Sequence, residues 1–314
     1  MDTFSNLSFA TEAFKRMSKL RFLHLSYLNI TGSFEQKLED LRWLQWYWCP
    51  LKYFPSEFHP QKLVVLELHG STMTKMCLLK VFENLKTLNM AYSSKLTTTP
   101  DFTKLPHLET LVFEGCQSLV TVDISIGSLA RLVSLNLGGC VNLTSLEDNI
   151  CNLKALEVLN IQYCSSLKAL PVELGNIESL KELNAEGLSI VRLPDSIGCL
   201  RKLVNLRLIL PDSTGYLSKL VELKLSSNFD LETLPDTIFN MRSLEILNIS
   251  ACERLETLPD QLWKIPRLRE LVASTFPLLR NLPDIQSSQA ALSLKRNSER
   301  ESIEIPPRKQ MLRD

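Results

Sequence analysis

Aromatic side chains are scarce, at 7% of a 314-residue chain in which apolar residues make up 45%. A core with so few rings has to be built from Leu and Ile. Net charge is missing too: 35 basic residues balance 35 acidic ones. That excludes a global electrostatic attraction to nucleic acid or an anionic membrane, so a partner has to be read by local shape. Long apolar runs are absent, none nearing the roughly 18 residues of a membrane span. The start Met1-Asp2-Thr3-Phe4-Ser5 lacks the basic and apolar regions of a signal peptide. These absences lead to the expectation of a soluble cytosolic protein.

Signatures of catalysis are also missing. His24, His59, His69 and His107 show neither HxxxH nor HExxH spacing, and no GxSxG elbow occurs. There is no G-x-x-x-x-G-K-[ST] and not even a Gly-Lys pair, so the chain offers no backbone cradle for ATP or ADP phosphates. The eight cysteines form no CxxC pair and no terminal cluster. The expectation is a protein that is not an enzyme and needs no cofactor and no metal.

What the chain does have is a repeat. The pattern LxxLxLxx(C/N)xxLxxLP returns with a period near 24, as in LETLVFEGCQSLVTV from Leu108, LVSLNLGGCVNLTSL from Leu132 and LEVLNIQYCSSLKALP from Leu156. Opening leucines stand at Leu20, Leu41, Leu63, Leu85, Leu108, Leu132, Leu156, Leu180, Leu203, Leu220, Leu244 and Leu268, which makes twelve repeats. Cys49, Cys116, Cys140, Cys164 and Cys252 each follow an opening leucine by eight residues, where a buried thiol is expected in preference to a disulfide or a metal ligand.

Within each repeat the alternation of LxxLxL predicts a short strand with leucines inward. Stacked strands give an α/β repeat fold, a leucine-rich-repeat solenoid. Its expected form is a curved horseshoe with a concave parallel β-sheet and an irregular or short-helical convex side, because LPxxIxxLxxL opens on a proline without an N–H. Residues 1–19 read as an N-terminal cap segment with a short helix, Phe14, Met17 and Leu20 sharing its apolar face over the first strand. Residues 20–291 read as the repeat domain, and 292–314 as a degenerate last repeat followed by a disordered charged tail. The interval from Leu203 to Leu220 is only 17 residues, which predicts a local kink.

Longer stretches go beyond a generic repeat. FKRMSKLRFLHL (14–25), LRWLQWYWCPLKYFPSEF (41–58), KLVVLELHGSTM (62–73) and NLKTLNMAYSSKLTTTPDFTKLPHLETLVFEGCQSL (84–119) resemble the repeat region of plant TIR-NBS-LRR (NLR) disease resistance proteins. The segment 166–197, with LGNIESLKELNAEGLSIVRLPDSI, is similar to the same family. The chain departs from the family after Ser71, where Met76-Cys77-Leu78 stands in place of a Leu-Trp, and it carries no nucleotide-binding motif. The resemblance implies a protein-recognition module in plant defense and innate immunity. Its implied partners are a pathogen effector or a modified host protein and, in a larger receptor, a nucleotide-binding switch domain held inactive. The implied location is the cytoplasm, with the nucleus as a second compartment. A free-standing intracellular signalling scaffold is the alternative. An extracellular ectodomain, suggested by sequons at Asn6, Asn29, Asn142 and Asn248, is disfavoured because the repeats end in LP rather than GxIP.

Two features mark the concave face as the place for recognition. Phe22, Tyr27, Trp43, Tyr47, Trp48 and Tyr92 gather toward the N-terminal end, where they could contact a neighbouring domain, anchor an external ligand, or cap the stack. Asn89, Asn136, Asn160, Asn184 and Asn248 form a row at the fifth repeat position, beside Gly115, Gly138, Gly139 and Gly187. Amide ladders between strands are the preferred account of that row. Glu114, Glu182, Glu186, Glu222 and Glu270, with Arg207 and Lys224, read as solvated charge.

Overall fold

The computed structural model describes residues 8–32, 38–188, 193–207, 215, 217–218, 220–225, 231–273 and 302–304. Its strands are β1 (Ser8–Ala10), β2 (Phe22–Ser26), β3 (Asn29–Thr31), β4 (Trp43–Tyr47), β5 (Val65–Glu67), β6 (Thr87–Asn89), β7 (Thr110–Val112), β8 (Ser134–Asn136), β9 (Val158–Asn160), β10 (Glu182–Asn184), β11 (Asn205–Arg207), β12 (Glu222–Lys224), β13 (Ile246–Asn248), β14 (Glu270–Val272) and β15 (Ser302–Glu304). Thirteen of them form one sheet, in the order β2, β4, then β5 through β15. Every strand from β2 to β14 in that sheet begins two residues after an opening leucine.

Register follows from burial. The fourth-position leucine of each repeat points inward and pairs with its counterpart next door, Leu44 with Leu66, Leu66 with Leu88, and so on through Leu247 with Leu271. From Leu44 to Leu271 these leucines are at most 2% exposed, each contributing about 1.5–3 kcal/mol by leaving water, while Leu23 at the end of the stack is partly buried. A slip of one residue would turn the whole row to solvent, so the period of two locks the ladder. This is the leucine-rich-repeat solenoid, its concave wall the parallel sheet.

The convex side carries short 3-10 turns instead of a second sheet: Phe102–Lys104, Ile124–Ser128, Asp148–Asn152, Leu174–Asn176, Asp195–Cys199, Asp236–Asn240 and Asp260–Lys264. Pro194, Pro235 and Pro259 stand at the cap of three of them in extended conformation. Asp101 and Asp123 cap two others by accepting the amides of Thr103 and Ser125. Among the described residues only isolated parallel bridges, such as Lys75 with Thr98, run beside these turns.

The ends differ in detail from expectation. The N-terminal helix is a 3-10 turn, Thr11–Arg16, with Phe14 buried and its ring 5.8 Å from that of Phe9. Leu20 packs partly against the core, but Met17 is 43% exposed. The turn ends at Arg16 and Met17 is its non-helical cap, so helical-face spacing does not reach it. Beside it β1 and β3 pair in a separate two-stranded sheet. At the other end, Ser302–Glu304 of the segment expected to be a disordered tail lies antiparallel on β14. The kink expected between Leu203 and Leu220 falls largely on 208–214, outside the described residues. Parallel pairing continues on both sides of it, Glu182 with Asn205 and Asn205 with Glu222.

Candidate functional site

Side chains reach the concave face from positions three, five and seven of each repeat, and the chain leaves the strand at position eight. Position-eight backbone is left-handed throughout the described repeats. Tyr27, Trp48, Tyr92, Tyr163 and Ala251 have φ of 54 to 58°, and Gly70, Gly115, Gly139 and Gly187 have 68 to 72°. Glycine adopts that conformation freely, whereas a bulky side chain there costs about 1–3 kcal/mol. The reason for the turn is the ladder itself: the position-eight amide must swing across to the position-seven carbonyl of the next repeat, as Tyr92 does to Glu114 at 2.6 Å and Tyr163 to Glu186 at 2.7 Å.

The aromatics expected as one cluster form two groups. Phe22 and Trp43, both at position three, contact each other with centroids 6.0 Å apart along one margin of the face. Tyr27, Tyr47, Trp48 and Tyr92 lie along the opposite margin. There Tyr27 stacks on Trp48 at 5.6 Å and 8°, and His69 joins Tyr47, Trp48 and Tyr92 at 5.5, 6.1 and 4.9 Å. His24 completes the row against Tyr47 at 5.4 Å. Neither histidine lies in a spacing that marks a site in the sequence. The signal that finds His69 is its column, position seven, one residue from the aromatic column.

The second feature missed is an aromatic-over-glycine motif. At Trp48, Tyr92 and Tyr163 the position-eight ring covers the position-eight glycine of the following repeat, Gly70, Gly115 and Gly187. A Cβ at Gly70 would stand 2.7 Å from Trp48 Cε3, and one at Gly187 would stand 2.4 Å from Tyr163 Cδ1. The tyrosine hydroxyl then donates to the glutamate before that glycine, Tyr92 to Glu114 at 3.4 Å and Tyr163 to Glu186 at 2.6 Å. Glu67 sits similarly, accepting from Gln45 and from Tyr47 at 3.5 Å. Burial first, and then the Glu67 charge, raise the Tyr47 hydroxyl above its ordinary pKa.

The asparagine row does different work from the expected inter-strand ladder. Each amide oxygen accepts the backbone N–H two residues on: Asn89 from Ala91, Asn136 from Gly138, Asn160 from Gln162, Asn184 from Glu186 and Asn248 from Ser250, at 2.9 to 3.3 Å. The position-six and position-eight amides find carbonyls on the next repeat, as Leu137 and Gly139 do, and the position-seven amide is served by the asparagine. The cross-strand links present are Asn184 Nδ2 to Gln162 at 2.8 Å and Asn136 Nδ2 to Glu114 at 3.1 Å. Lys224 pairs with Glu222 on its own strand at 2.8 Å.

All eight cysteines are free thiols. Cys116, Cys140, Cys164 and Cys252 donate to the position-six carbonyls of Met90, Phe113, Leu137 and Leu225 on the preceding repeat, at 3.1 to 3.2 Å. Burial pushes Cys49 and Cys116 up to about 12 and Cys164 to about 11. Such thiols tie repeats together and are poor nucleophiles. Among the described residues no His, Cys, Asp or Glu group is arranged to hold a metal ion, and no helix is long and apolar enough to cross a membrane.

Comparison with known proteins agrees with the resemblance drawn from the motifs. The chain is 36% identical over 107 residues to disease resistance protein RUN1 of Vitis rotundifolia, covering 34% of this chain and 8% of that protein. It is 32% identical over 136 residues to disease resistance protein RML1B of Arabidopsis thaliana, covering 41% and 13%. It is 30% identical over 130 residues to TMV resistance protein N of Nicotiana glutinosa, covering 41% and 11%. The matched stretches thus span about a tenth of these relatives' length. No protein-family model matches the chain. Among solved structures, a leucine-rich-repeat protein of Leptospira interrogans superposes with a TM-score of 0.56 at 23% identity, covering 86% of this chain and 77% of that one, which speaks to the fold alone.

Proposed function

We propose that this chain is the non-enzymatic recognition module of a plant intracellular immune receptor, acting in the cytoplasm with the nucleus as a second compartment. It senses a pathogen effector or a modified host protein and helps to hold a nucleotide-binding switch domain inactive. The observation that carries this reading is the exposed aromatic row at the N-terminal end of the concave sheet, on a chain similar to plant disease resistance proteins. Tyr27, Trp48 and Tyr92 occupy left-handed positions that glycine fills in other repeats, and each remains roughly half exposed. Rings on rigid backbone give large contact area at small entropic cost, as binding hot spots require.

Affinity purification of the tagged chain from plant cells, wild type beside a Trp43→Ala, Trp48→Ala double variant, tests this. Neither ring belongs to the leucine core, so the variant keeps its ladder. Loss of a co-purifying switch domain or host protein in the variant supports the reading. Recovery of the same partners by both forms would reduce the aromatic row to a cap on the stack.

A further inference from the structure

The strand face from β5 to β10 has a character that the aromatic row does not explain. Its positions three, five and seven are Val65, Glu67 and His69; Thr87, Asn89 and Ala91; Thr110, Val112 and Glu114; Ser134, Asn136 and Gly138; Val158, Asn160 and Gln162; and Glu182, Asn184 and Glu186. Four carboxylates stand there with no lysine or arginine, on a chain whose charges balance overall. Along the edge of the same sheet, by contrast, carboxylates are matched by cations, Glu109 by Lys86 at 2.8 Å and Glu157 by Lys181 at 2.7 Å. From β5 to β10 these positions thus present an acidic face where a partner would sit, and the next cation along it is Arg207 on β11.

Two of them are built into like sites. Glu114 is held by the Asn136 amide at 3.1 Å and the Tyr92 hydroxyl at 3.4 Å, and Glu186 by the Tyr163 hydroxyl at 2.6 Å. Each tyrosine is about half exposed, at 49% and 50%. A half-exposed ring beside a fixed carboxylate is a receptor for a guanidinium or ammonium group, which gains a cation–π contact and an ion pair together. Between the two sites Gly138 and Gly139 add no side chain of their own, and the side chains of Asn136, Asn160 and Gln162 gather around Gly138 at 3.1 to 3.2 Å from where a Cβ would stand.

We infer that this face binds an extended basic segment of a partner protein, with one cationic side chain at Tyr92 and Glu114 and a second at Tyr163 and Glu186. The sites are three strand spacings apart, about 14 Å. An extended chain rises about 3.3 Å per residue and returns a side chain to the same face every second residue, so the fitting spacing is two cations four residues apart. The inference rests on reading the sheet as a recognition face, and it adds the chemistry of what is recognised.

Fluorescence anisotropy with labelled nine-residue peptides tests it, using the whole chain. A peptide with arginines four residues apart in a Ser/Thr background is expected to bind about tenfold more tightly than one with arginines three apart, and one with glutamates four apart to show no binding. Glu114→Gln with Glu186→Gln is expected to weaken the first peptide about tenfold without changing the melting temperature, while Trp43→Ala, Trp48→Ala leaves it unchanged. Equal affinity for both arginine spacings, or full affinity in the glutamine variant, overturns the inference. Peptide binding lost only in the tryptophan variant overturns it as well, placing the ligand at the other end and leaving the broader recognition reading intact.

Discussion

At the scale of single residues, one column organises the concave margin. Among the described residues position eight takes Tyr, Trp, Gly or Ala, residue types that share no polarity, size or charge, and what unites them is a φ between 54 and 72°. Gly139 and Gly187 separate the two demands of that column. A Cβ at Gly139 would meet nothing nearer than Gly115 at 3.6 Å, so Gly139→Ala should cost only the left-handed penalty of about 1 kcal/mol. Gly187→Ala adds a clash with the Tyr163 ring and should cost about 1–2 kcal/mol more. Urea denaturation of the two variants, repeated in a Tyr163→Ala background, checks this. The excess at Gly187 should vanish without the ring, and an excess that persists would mean the ring does not lie over that glycine. Hydrophobic patterning could not find this column, because it registers burial and is blind to backbone handedness. The asparagine row was visible for the same reason that its role was not: the column repeats, but the bond runs to the residue two further on, inside one repeat.

At the scale of elements, the strands were legible because leucine period, burial and register all express one physical demand. The convex turns were legible only as a class, since a proline without an N–H says where a regular strand cannot continue but not which hydrogen bonds replace it. Those bonds pass between repeats. Ser125 Oγ accepts the Phe102 amide at 2.9 Å and donates to Asp123 at 2.6 Å, so the cap of one turn is coupled to the start of the turn before it. Ser196 repeats the device, accepting from Gly175 at 3.0 Å and donating to Val172 at 2.6 Å. Ser125→Ala strands a part-buried amide and should cost about 1–2 kcal/mol, whereas Ser128→Ala, which removes an exposed hydroxyl bonded within its own turn, should cost less than about 0.5 kcal/mol. Equal losses for the two in urea titrations would sink the idea that the serine links neighbouring turns.

At the scale of the whole molecule, each repeat touches only its neighbours, so stability is a sum along a line and the ends have fewer partners than the middle. The cysteines happen to report on this. Cys77 and Cys199 are exposed, while Cys49, Cys116, Cys140, Cys164 and Cys252 are buried at one repeat position along the stack. A buried thiol pushed to about 12, as in Cys116, is almost wholly protonated near neutral pH, so its alkylation requires the repeat to open. Iodoacetamide labelling of the native chain, followed by peptide mass spectrometry, should modify Cys77 and Cys199 within minutes. Cys252, two strands from the β15 end, should react next through fraying of the last repeats, and Cys140, with parallel strands paired on both sides of β8, should react last. Moderate urea should narrow the interval between Cys252 and Cys140, because the larger opening that exposes Cys140 uncovers more surface and responds more steeply to denaturant. If the five thiols buried at that repeat position instead react at one common rate, the solenoid unfolds as a single cooperative body, and the coupling through turns such as Ser125 reaches much farther than the neighbouring repeat.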